Sequence, residues 1–305
     1  MRKLILLLSL SLLISCHPSK KTEPLTMIMG TWYGFYPVYY AMEKGLDKKH
    51  GIRLKVLEPT NMPDYRRSYL QSQVDIAASS MLEFTNAVAL TNMQLTPIVI
   101  TDYSNGGDVV IADKKFQTPE QLKGARVAVP SNGIGEYVLS LMFDSPVPTQ
   151  LIKQISISET HCEQAFKDGG IDACVTYPPI STRLLANPKV HKLFDTQNHP
   201  DQIFDIIYAK PHISEQTKVQ FRNFWFDAVD LMEQNTDEFY RFVASVADVD
   251  EESVRTSMKS IKMLNRQQHG ELLEQRELLN NTLVKSCRIA TDRNCQQFQQ
   301  TFVDL

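Results

Sequence analysis

Strand-like and helix-like segments alternate through about the first two hundred residues, and this alternation constrains the fold more than any other feature. Short apolar runs such as Leu25–Met29 and Ile52–Leu57 predict strands, and amphipathic stretches between such runs predict helices. From residue 214 onward the pattern predicts helices almost exclusively. We therefore predict an α/β fold whose mostly parallel sheets are flanked by helices, followed by a helical C-terminal region.

An aromatic cluster follows the first predicted strand. The chain continues from Gly30 as GTWYGFYPVYYAMEKGLDKKHGIRLK. Ligands bind at the carboxyl ends of the strands in such folds, which is where Trp32, Tyr33 and Tyr36 fall. We expect these three aromatic side chains to form one wall of a small-molecule pocket, where they can stack on a flat ligand or face a cation. The alternative is that they pack in the core.

Polar residues follow two further predicted strands. Ser79 and Ser80 begin a helix, so their hydroxyls and the free N–H groups behind them can bind an anion or a carbonyl oxygen, or can simply cap the helix. Asp102 follows a strand end and can pair with a cationic ligand group or stabilise its own loop. We count all three as candidate ligand-binding residues.

A second candidate wall lies in the loop Ser131-Asn132-Gly133-Ile134-Gly135-Glu136 and at Tyr177. Glycine lets backbone approach a ligand at Gly133, Asn132 offers an amide, and Glu136 can accept from an amine or only favour the helix dipole. The glycine spacing does not match the dinucleotide fingerprint, so no cofactor is expected. The candidate loops hold acids but no Arg or Lys, which favours a nitrogenous heterocycle or another amine-bearing ligand.

The N-terminus has the layout of a secretory signal, because a basic start precedes the apolar run Leu4–Ile14, which is too short to span a bilayer. Leu13-Ile14-Ser15-Cys16 resembles the bacterial lipoprotein cleavage box; the alternative is an ordinary signal peptide that contains a cysteine. We expect a signal peptide over residues 1–15, a lipid on Cys16 and a polar tether over residues 16–24. The protein would then be exported and anchored on the periplasmic side, or on the surface of a Gram-positive cell.

The four remaining cysteines are Cys162, Cys174, Cys287 and Cys295. An even number in an exported protein permits two disulfides, with three connectivities. Cys162 and Cys174 lie on a helix and the following strand and could pair, and Cys287 could meet Cys295 if a helix ends between them. Buried free thiols are the alternative. No metal is expected, since the zinc-type CxxC spacing and a second ligand pair are missing from the sequence.

Two classes of function are disfavoured by the sequence. The formal net charge of −3 and the lack of basic runs argue against nucleic-acid binding. The sequence contains no GxSxG motif, and its seven histidines are scattered without catalytic spacing, so we do not expect an enzyme.

Seven motifs occur in an order that matches a known group of proteins. They are Trp32–Gly45, Gly51–Leu54, Val74–Ala77, Asp102–Asp108, Leu122–Val129, Gly170–Ala173 and Tyr177–Pro179. In these motifs the chain resembles periplasmic solute-binding proteins of ABC transporters, in the nitrate/sulfonate/taurine group that includes NMT1/THI5-like proteins. The Gln-rich segment 265–305 and its cysteine pair depart from that pattern.

The resemblance implies a two-lobed periplasmic binding protein fold (type II) that closes on its ligand by a hinge motion. Lobe 1 would comprise residues 24–108 plus 209–305, and lobe 2 residues 112–205. It also implies that Tyr177 faces the cleft and that the protein, which we expect to be a monomer, delivers its ligand to an ABC permease. The acidic and aromatic candidate loops favour a pyrimidine-type heterocycle or an amine as that ligand. A binder of sulfonate or taurine-like anions, or a ligand sensor that docks on a membrane receptor, are the alternatives.

Overall fold

Two β-sheets, each flanked by helices, make up the computed structural model of the chain. The structure describes residues 23–71, 74–129, 133–144, 151–290, 295, 298 and 301–302. Within these ranges, no helix combines the length and the apolar character that a membrane crossing requires. The expected signal peptide and Cys16 lie outside the described residues, so they stay predictions.

The strands form two mixed sheets. In chain order they are β1 (Leu25–Met29), β2 (Leu54–Leu57), β3 (Ile76–Ser80), β4 (Thr96–Ser104), β5 (Val109–Asp113), β6 (Arg126–Ala128), β7 (Lys153–Ile155), β8 (Ala173–Thr176), β9 (Val190–Asp195), β10 (Phe204–Ala209) and β11 (Ile261–Met263). The first sheet has the order β11-β4-β10-β3-β1-β2, and the second has the order β7-β6-β8-β5-β9.

The predicted two-lobed α/β class is confirmed, but the sheets are mixed rather than mostly parallel. In the first sheet β2, β1 and β3 are parallel, whereas β10 is antiparallel to both β3 and β4. In the second sheet β7, β6 and β8 are parallel, whereas β5 is antiparallel to both β8 and β9. The antiparallel pairs arise where the chain leaves one sheet for the other and returns.

The helices cover both faces of each sheet. They are α1 (Tyr36–Glu43), α2 (Leu46–Lys49), α3 (Met62–Leu70), α4 (Met81–Thr91), α5 (Ile134–Phe143), α6 (Cys162–Lys167), α7 (Ile180–Leu185), α8 (Glu215–Gln234), α9 (Thr236–Ala247), α10 (Glu251–Met258), α11 (Arg266–Glu274) and α12 (Arg276–Ala290). The Ser214 hydroxyl accepts a hydrogen bond from the Thr217 amide at 3.1 Å and so caps the N-terminus of α8.

Strand β1 shows why the strands of the first sheet are apolar throughout. Met27 and Met29 face the core beneath α1 and α8, whereas Ile28 faces the opposite core beneath α4 and α12. Successive side chains of a strand point to opposite faces, so a strand covered on both sides buries all of them. The continuous apolar run at the start of the described chain follows from this position.

Strand β11 interrupts the C-terminal region, for which the sequence predicts helices almost exclusively. It pairs antiparallel with β4 and completes one edge of the first sheet. On the following helix α11, the buried His269 accepts a hydrogen bond at Nε2 from the backbone amide of Ile100 at 3.3 Å. The C-terminal region therefore lies directly against β4.

Both cysteine pairs named in the sequence form disulfides, which confirms this pairing. Cys162 at the start of α6 is joined to Cys174 on β8. Cys287 near the end of α12 is joined to Cys295 beyond it. Bonds of this kind persist in oxidising compartments and agree with an exported protein.

The chain crosses between the sheets twice, in residues 105–108 and 196–203. The two crossings are linked where Ser104 Oγ and Thr196 Oγ1 form a hydrogen bond of 2.8 Å, and the Gly106 amide donates to the same Thr196 oxygen at 3.0 Å. This contact holds the two connections side by side at the base of the space between the sheets.

Helix α12 contacts both sides of the molecule near the second crossing. Leu279, Leu283 and Cys287, which are spaced four residues apart, pack in the core of the first sheet. On another face of the helix, Lys285 Nζ donates to Gln202 Oε1 at 2.6 Å and lies 5.2 Å from the ring centroid of Tyr137 on α5. The C-terminal helix thus bridges the two sheets.

Candidate functional site

A cleft between the two sheets contains a cavity of about 90 Å3. Its lining comes from both sheets: Gly30, Trp32, Phe35, Met62, Tyr65, Ala78, Ser79, Ser80, Glu83, Asp108 and Asp205 belong to the first sheet and its connections, and Gly133, Ile134, Gly135, Glu159, Val175, Thr176, Tyr177 and Ile203 to the second and the returning crossing. A ligand held there would therefore contact both halves of the protein.

Trp32 is the central aromatic side chain of the cleft. Its Nε1 donates a hydrogen bond to Asp102 Oδ1 at 2.9 Å, and its ring meets Tyr177 edge to face with centroids 5.9 Å apart. A Cβ atom at Gly107 would lie 2.5 Å from Cη2 of the indole, so this glycine leaves the space that the ring occupies. These contacts fix the ring in one orientation between the two sheets.

Asp102 lies behind the cleft surface and is fully buried. Its Oδ1 accepts from Trp32, and its Oδ2 accepts from the Thr101 hydroxyl at 2.8 Å. The register of β4 against β10 shifts beside Asp102, between the partners of Asp205 and Ile206. Such β-bulges redirect side chains next to functional sites, and here the bulge accompanies an aspartate that orients Trp32.

Four carboxyl groups line the cleft: those of Glu83, Asp108, Glu159 and Asp205. Glu83 pairs with Arg66, with Oε1 and the guanidinium nitrogen 2.6 Å apart. Glu159 Oε1 accepts from the Tyr177 hydroxyl at 3.1 Å. No cation among the described residues pairs with Asp108 or Asp205, and burial raises the pKa of Asp108 to about 6 and that of Asp205 well above its usual range.

The described lining of the cleft contains no Lys, Arg or His. Arg66 reaches Glu83 from α3 but does not itself line the cavity. The site is thus acidic and aromatic on the side of the first sheet, which favours a ligand carrying positive charge or N–H donors.

Two helix N-termini also open onto the cleft. Ser80 caps α4, accepting from the Glu83 amide at 3.3 Å, and Gly133 is the N-cap of α5. A Cβ atom at Gly135 would overlap Val129 Cγ2, so glycine is needed where α5 begins against the end of β6. Free N–H groups at helix starts favour negative charge or carbonyl oxygens.

Five of the eleven predicted site residues meet in this cleft, whereas Tyr33, Tyr36, Asp102 and Glu136 do not line it. Trp32, Ser79, Ser80, Gly133 and Tyr177 line it.

Tyr33 and Tyr36 are buried in the core on the side of α1 and α8, and their rings meet edge to face at 5.4 Å. The short 3-10 helix Tyr33–Phe35 turns these side chains inward after Trp32. Glu136 accepts from Gln154 Nε2 at 2.8 Å and does not line the cleft. Ser131 and Asn132 lie outside the described residues.

Sequence reasoning missed the four carboxyl groups of the cleft. Two of them carried a signal: Asp108 closes the motif Asp102–Asp108, and Asp205 interrupts the apolar strand Ile203–Tyr208. A charged residue inside a strand that is otherwise wholly buried needs a partner or a function. Glu83 and Glu159 lie in helical turns of ordinary composition and gave no comparable signal.

Comparisons with known proteins agree with this geometry. Residues 32–225 match the family described as NMT1/THI5 like. A protein of Brucella abortus (strain 2308), named as a binding protein with no ligand stated, is 24% identical over 243 residues, which cover 75% of this chain and 72% of that protein.

Two solved structures show the shared fold. The periplasmic aliphatic sulphonate binding protein SsuA from Escherichia coli superposes with a TM-score of 0.68 at 14% identity, covering 86% of this chain and 85% of that one. The periplasmic nitrate-binding protein NrtA from Synechocystis PCC 6803 gives 0.70 at 10% identity, covering 93% and 86%. The chain therefore shares the fold of periplasmic binding proteins and belongs to the NMT1/THI5-like family.

Proposed function

We propose that this chain is the extracytoplasmic binding component of an ABC import system and captures a small amine-bearing organic ligand, such as a pyrimidine-type heterocycle. One observation carries the choice of ligand: the cleft is lined by carboxyl groups and aromatic rings, with no basic side chain among its described residues. The cavity of about 90 Å3 suits a small molecule.

Charge balance supports a cationic ligand group. Arg66 offsets Glu83, but no base faces Asp108 or Asp205 within the described ranges. A buried carboxylate is costly unless it is paired, and an ammonium or protonated ring nitrogen would supply the missing partner. The rings of Trp32 and Tyr177 offer their faces or edges to the same group.

Residues from both sheets line the cleft, which supports capture of the ligand by closure of two lobes. Trp32 comes from the first sheet and Tyr177 from the second, and the two rings touch across the cleft. We propose residues 24–108 plus 209–305 and residues 112–205 as the two lobes that move. A ligand that bridges them stabilises the closed arrangement because it contacts both.

A sulfonate or another anion is the second candidate. The N-termini of α4 and α5 favour it, and the structural neighbours include proteins named as sulfonate and nitrate binders. The carboxyl groups that line the same cavity oppose it, because they would repel an anion at short range.

A thermal-shift panel tests the choice between these ligands. We expect 4-aminopyrimidine or benzylamine to raise the melting temperature, and methanesulfonate and nitrate to leave it unchanged. A ligand at 100 times its Kd adds about 2.7 kcal/mol to the free energy of unfolding. Asp108→Asn is expected to weaken amine binding tenfold or more, since a hydrogen bond to a charged group contributes roughly 1.5–3 kcal/mol.

Glu163→Gln is the matched control for that variant, because Glu163 is a half-exposed acid on α6 that pairs only with Lys167. It should retain the full stabilisation by the amine. Stabilisation by methanesulfonate but by neither amine would reject the proposed ligand class and favour the anion.

We also propose that a lipid on Cys16 anchors the protein to the membrane. The support is the sequence Leu13-Ile14-Ser15-Cys16 after an apolar run. Cells that produce Cys16→Ala are expected to incorporate no labelled fatty acid into the protein and to release it from the membrane fraction, whereas Ser11→Ala should change neither. Fatty-acid labelling that persists in Cys16→Ala would contradict the anchor.

Ligand uptake by a strain that lacks the gene distinguishes delivery to a permease from docking on a membrane receptor. If the protein delivers its ligand for import, deletion of its gene removes high-affinity uptake of the amine that the panel identifies. Unchanged uptake with loss of a transcriptional response to that amine would instead indicate a sensor.

A further inference from the structure

Asp102 and Asp205 form a pair of carboxyl groups at the floor of the cleft. They lie directly opposite each other on the antiparallel strands β4 and β10, so their side chains share one face of the sheet. Their exposed fractions are 0% and 7%, so two carboxyl groups face each other in a region shielded from water. Asp205 lines the cavity, whereas Asp102 lies behind it.

The neighbours of the pair identify which member carries the proton. Each oxygen of Asp102 accepts from a different donor, Trp32 Nε1 at 2.9 Å and the Thr101 hydroxyl at 2.8 Å. No Lys, Arg or His lines the cavity beside Asp205 among the described residues, and two buried carboxyl groups that face each other cannot both ionise without strong repulsion, so one of them holds a proton. Asp102 is thus the ionised member, and the shared proton belongs to Asp205.

We infer that the empty protein holds one proton between Asp102 and Asp205, and that an alkylammonium group of the ligand replaces it, which makes Asp205 the residue that selects for a cation. This inference rests on the proposed amine-bearing ligand. The Asp205 O–H bond breaks, the proton passes to the solvent, and the ligand cation takes its place without a covalent bond. One positive charge enters as one leaves, so the charge of the site is unchanged.

The surroundings of the pair favour this exchange. The ionisable groups that face it are Asp108 from the first crossing, Glu159 and Tyr177 from the second sheet, and Glu83 with its partner Arg66 from α4 and α3. Ser80 lies opposite Asp205 on β3, and Lys262 lies on β11 opposite Tyr103 with its side chain exposed. Burial and the charges of Asp102 and Asp108 raise the pKa of Asp205, so the pair keeps its proton at neutral pH.

Trp32 provides a ligand-free readout, because Trp225 is the only other tryptophan. In the Trp225→Phe protein the emission of Trp32 is expected to titrate in two steps between pH 4 and pH 9.5, as two coupled carboxyl groups lose their protons in turn. Asp205→Asn should abolish the alkaline step. Asp108→Asn should keep that step at a lower pH, since it removes only a neighbouring charge.

Two results would contradict a proton shared by Asp102 and Asp205. One is an alkaline step in the Trp32 titration that is unchanged in Asp205→Asn, and the other is a titration of Trp32 emission with a single acidic step. Infrared spectroscopy of the Trp225→Phe protein at pH 8 covers the case in which Asp205→Asn does not fold. A protonated carboxyl C=O band is expected there, and its absence would equally reject the inference.

The exchange itself is tested with methylammonium chloride against equal sodium chloride. Methylammonium is expected to move the alkaline step of Trp32 to lower pH, because a cation that competes with a proton makes the proton easier to lose. An unmoved step overturns the exchange. A protein that benzylamine stabilises in the thermal panel but that lacks the alkaline step keeps the proposed function and loses this inference. A protein that shows both steps but that only methanesulfonate stabilises keeps the shared proton, and loses the amine ligand and with it the exchange.

Discussion

Gly34→Ala is expected to lower the free energy of unfolding by about 2–4 kcal/mol, whereas Gly30→Ala changes it by less than about 0.5 kcal/mol. A Cβ atom at Gly34 would overlap Trp32 Nε1 and lie 2.5 Å from Asp102 Oδ2. The substitution therefore separates the indole from the carboxylate that orients it. Overpacking costs about 1–3 kcal/mol, and the lost hydrogen bond to a charged group adds to it.

Urea unfolding of both variants measures this difference, and Gly30 is the matched control because it lines the same cleft with nothing within 4 Å of an added Cβ. Trp32 emission should change in Gly34→Ala alone. If Gly34→Ala is as stable as Gly30→Ala, the contact between Trp32 and Asp102 contributes little to the site.

Acidification from pH 7 to pH 5 is expected to remove about 2 kcal/mol of stability through His269 alone. Burial, followed by the charges of Arg222 and Arg266, lowers the pKa of His269 to about 4, against about 6.5 in an unfolded chain. The folded state therefore binds fewer protons than the unfolded state, so this stability is present above pH 6.5 and is lost as the pH falls toward 4.

His269→Gln tests this expectation, because glutamine can accept from the Ile100 amide but does not take up a proton in this range. The variant should lose about 2 kcal/mol less than the parent protein between pH 7 and pH 5 in urea unfolding. His161→Gln, at an exposed position, should follow the parent. Equal acid loss in His269→Gln and the parent would show that His269 does not couple folding to pH.

The sequence predicted the fold class and the position of the first cleft wall for a clear physical reason. Short apolar runs and amphipathic stretches with a period of 3.6 residues reflect burial directly, and Trp32 follows the end of such a run. The mixed sheets were not predictable in this way, because a buried strand is apolar whichever direction its neighbour runs. Strand β11 has only three residues and is too short to show a period.

Individual side chains of the site were predicted less well than its location. Tyr33 follows Trp32 directly, yet a single 3-10 turn sends one into the core and the other to the cleft. No local pattern distinguishes them. Asp205 could have been found from its apolar neighbours, but its partner Asp102 lies 103 positions earlier (205 − 102), and only the pairing of β4 with β10 brings them together.

Helix α12 has a consequence for how the two halves can move apart. Its apolar face is held to the first sheet by Leu279, Leu283 and the disulfide at Cys287, whereas Lys285 reaches Gln202 in the second crossing. The contact of Lys285 with Gln202 therefore links helix α12 to the second crossing, in addition to the two covalent connections between the sheets. In the proposed closure, rotation about an axis near Gln202 preserves that contact, so the two halves would separate most at the edge of the cleft farthest from the crossings.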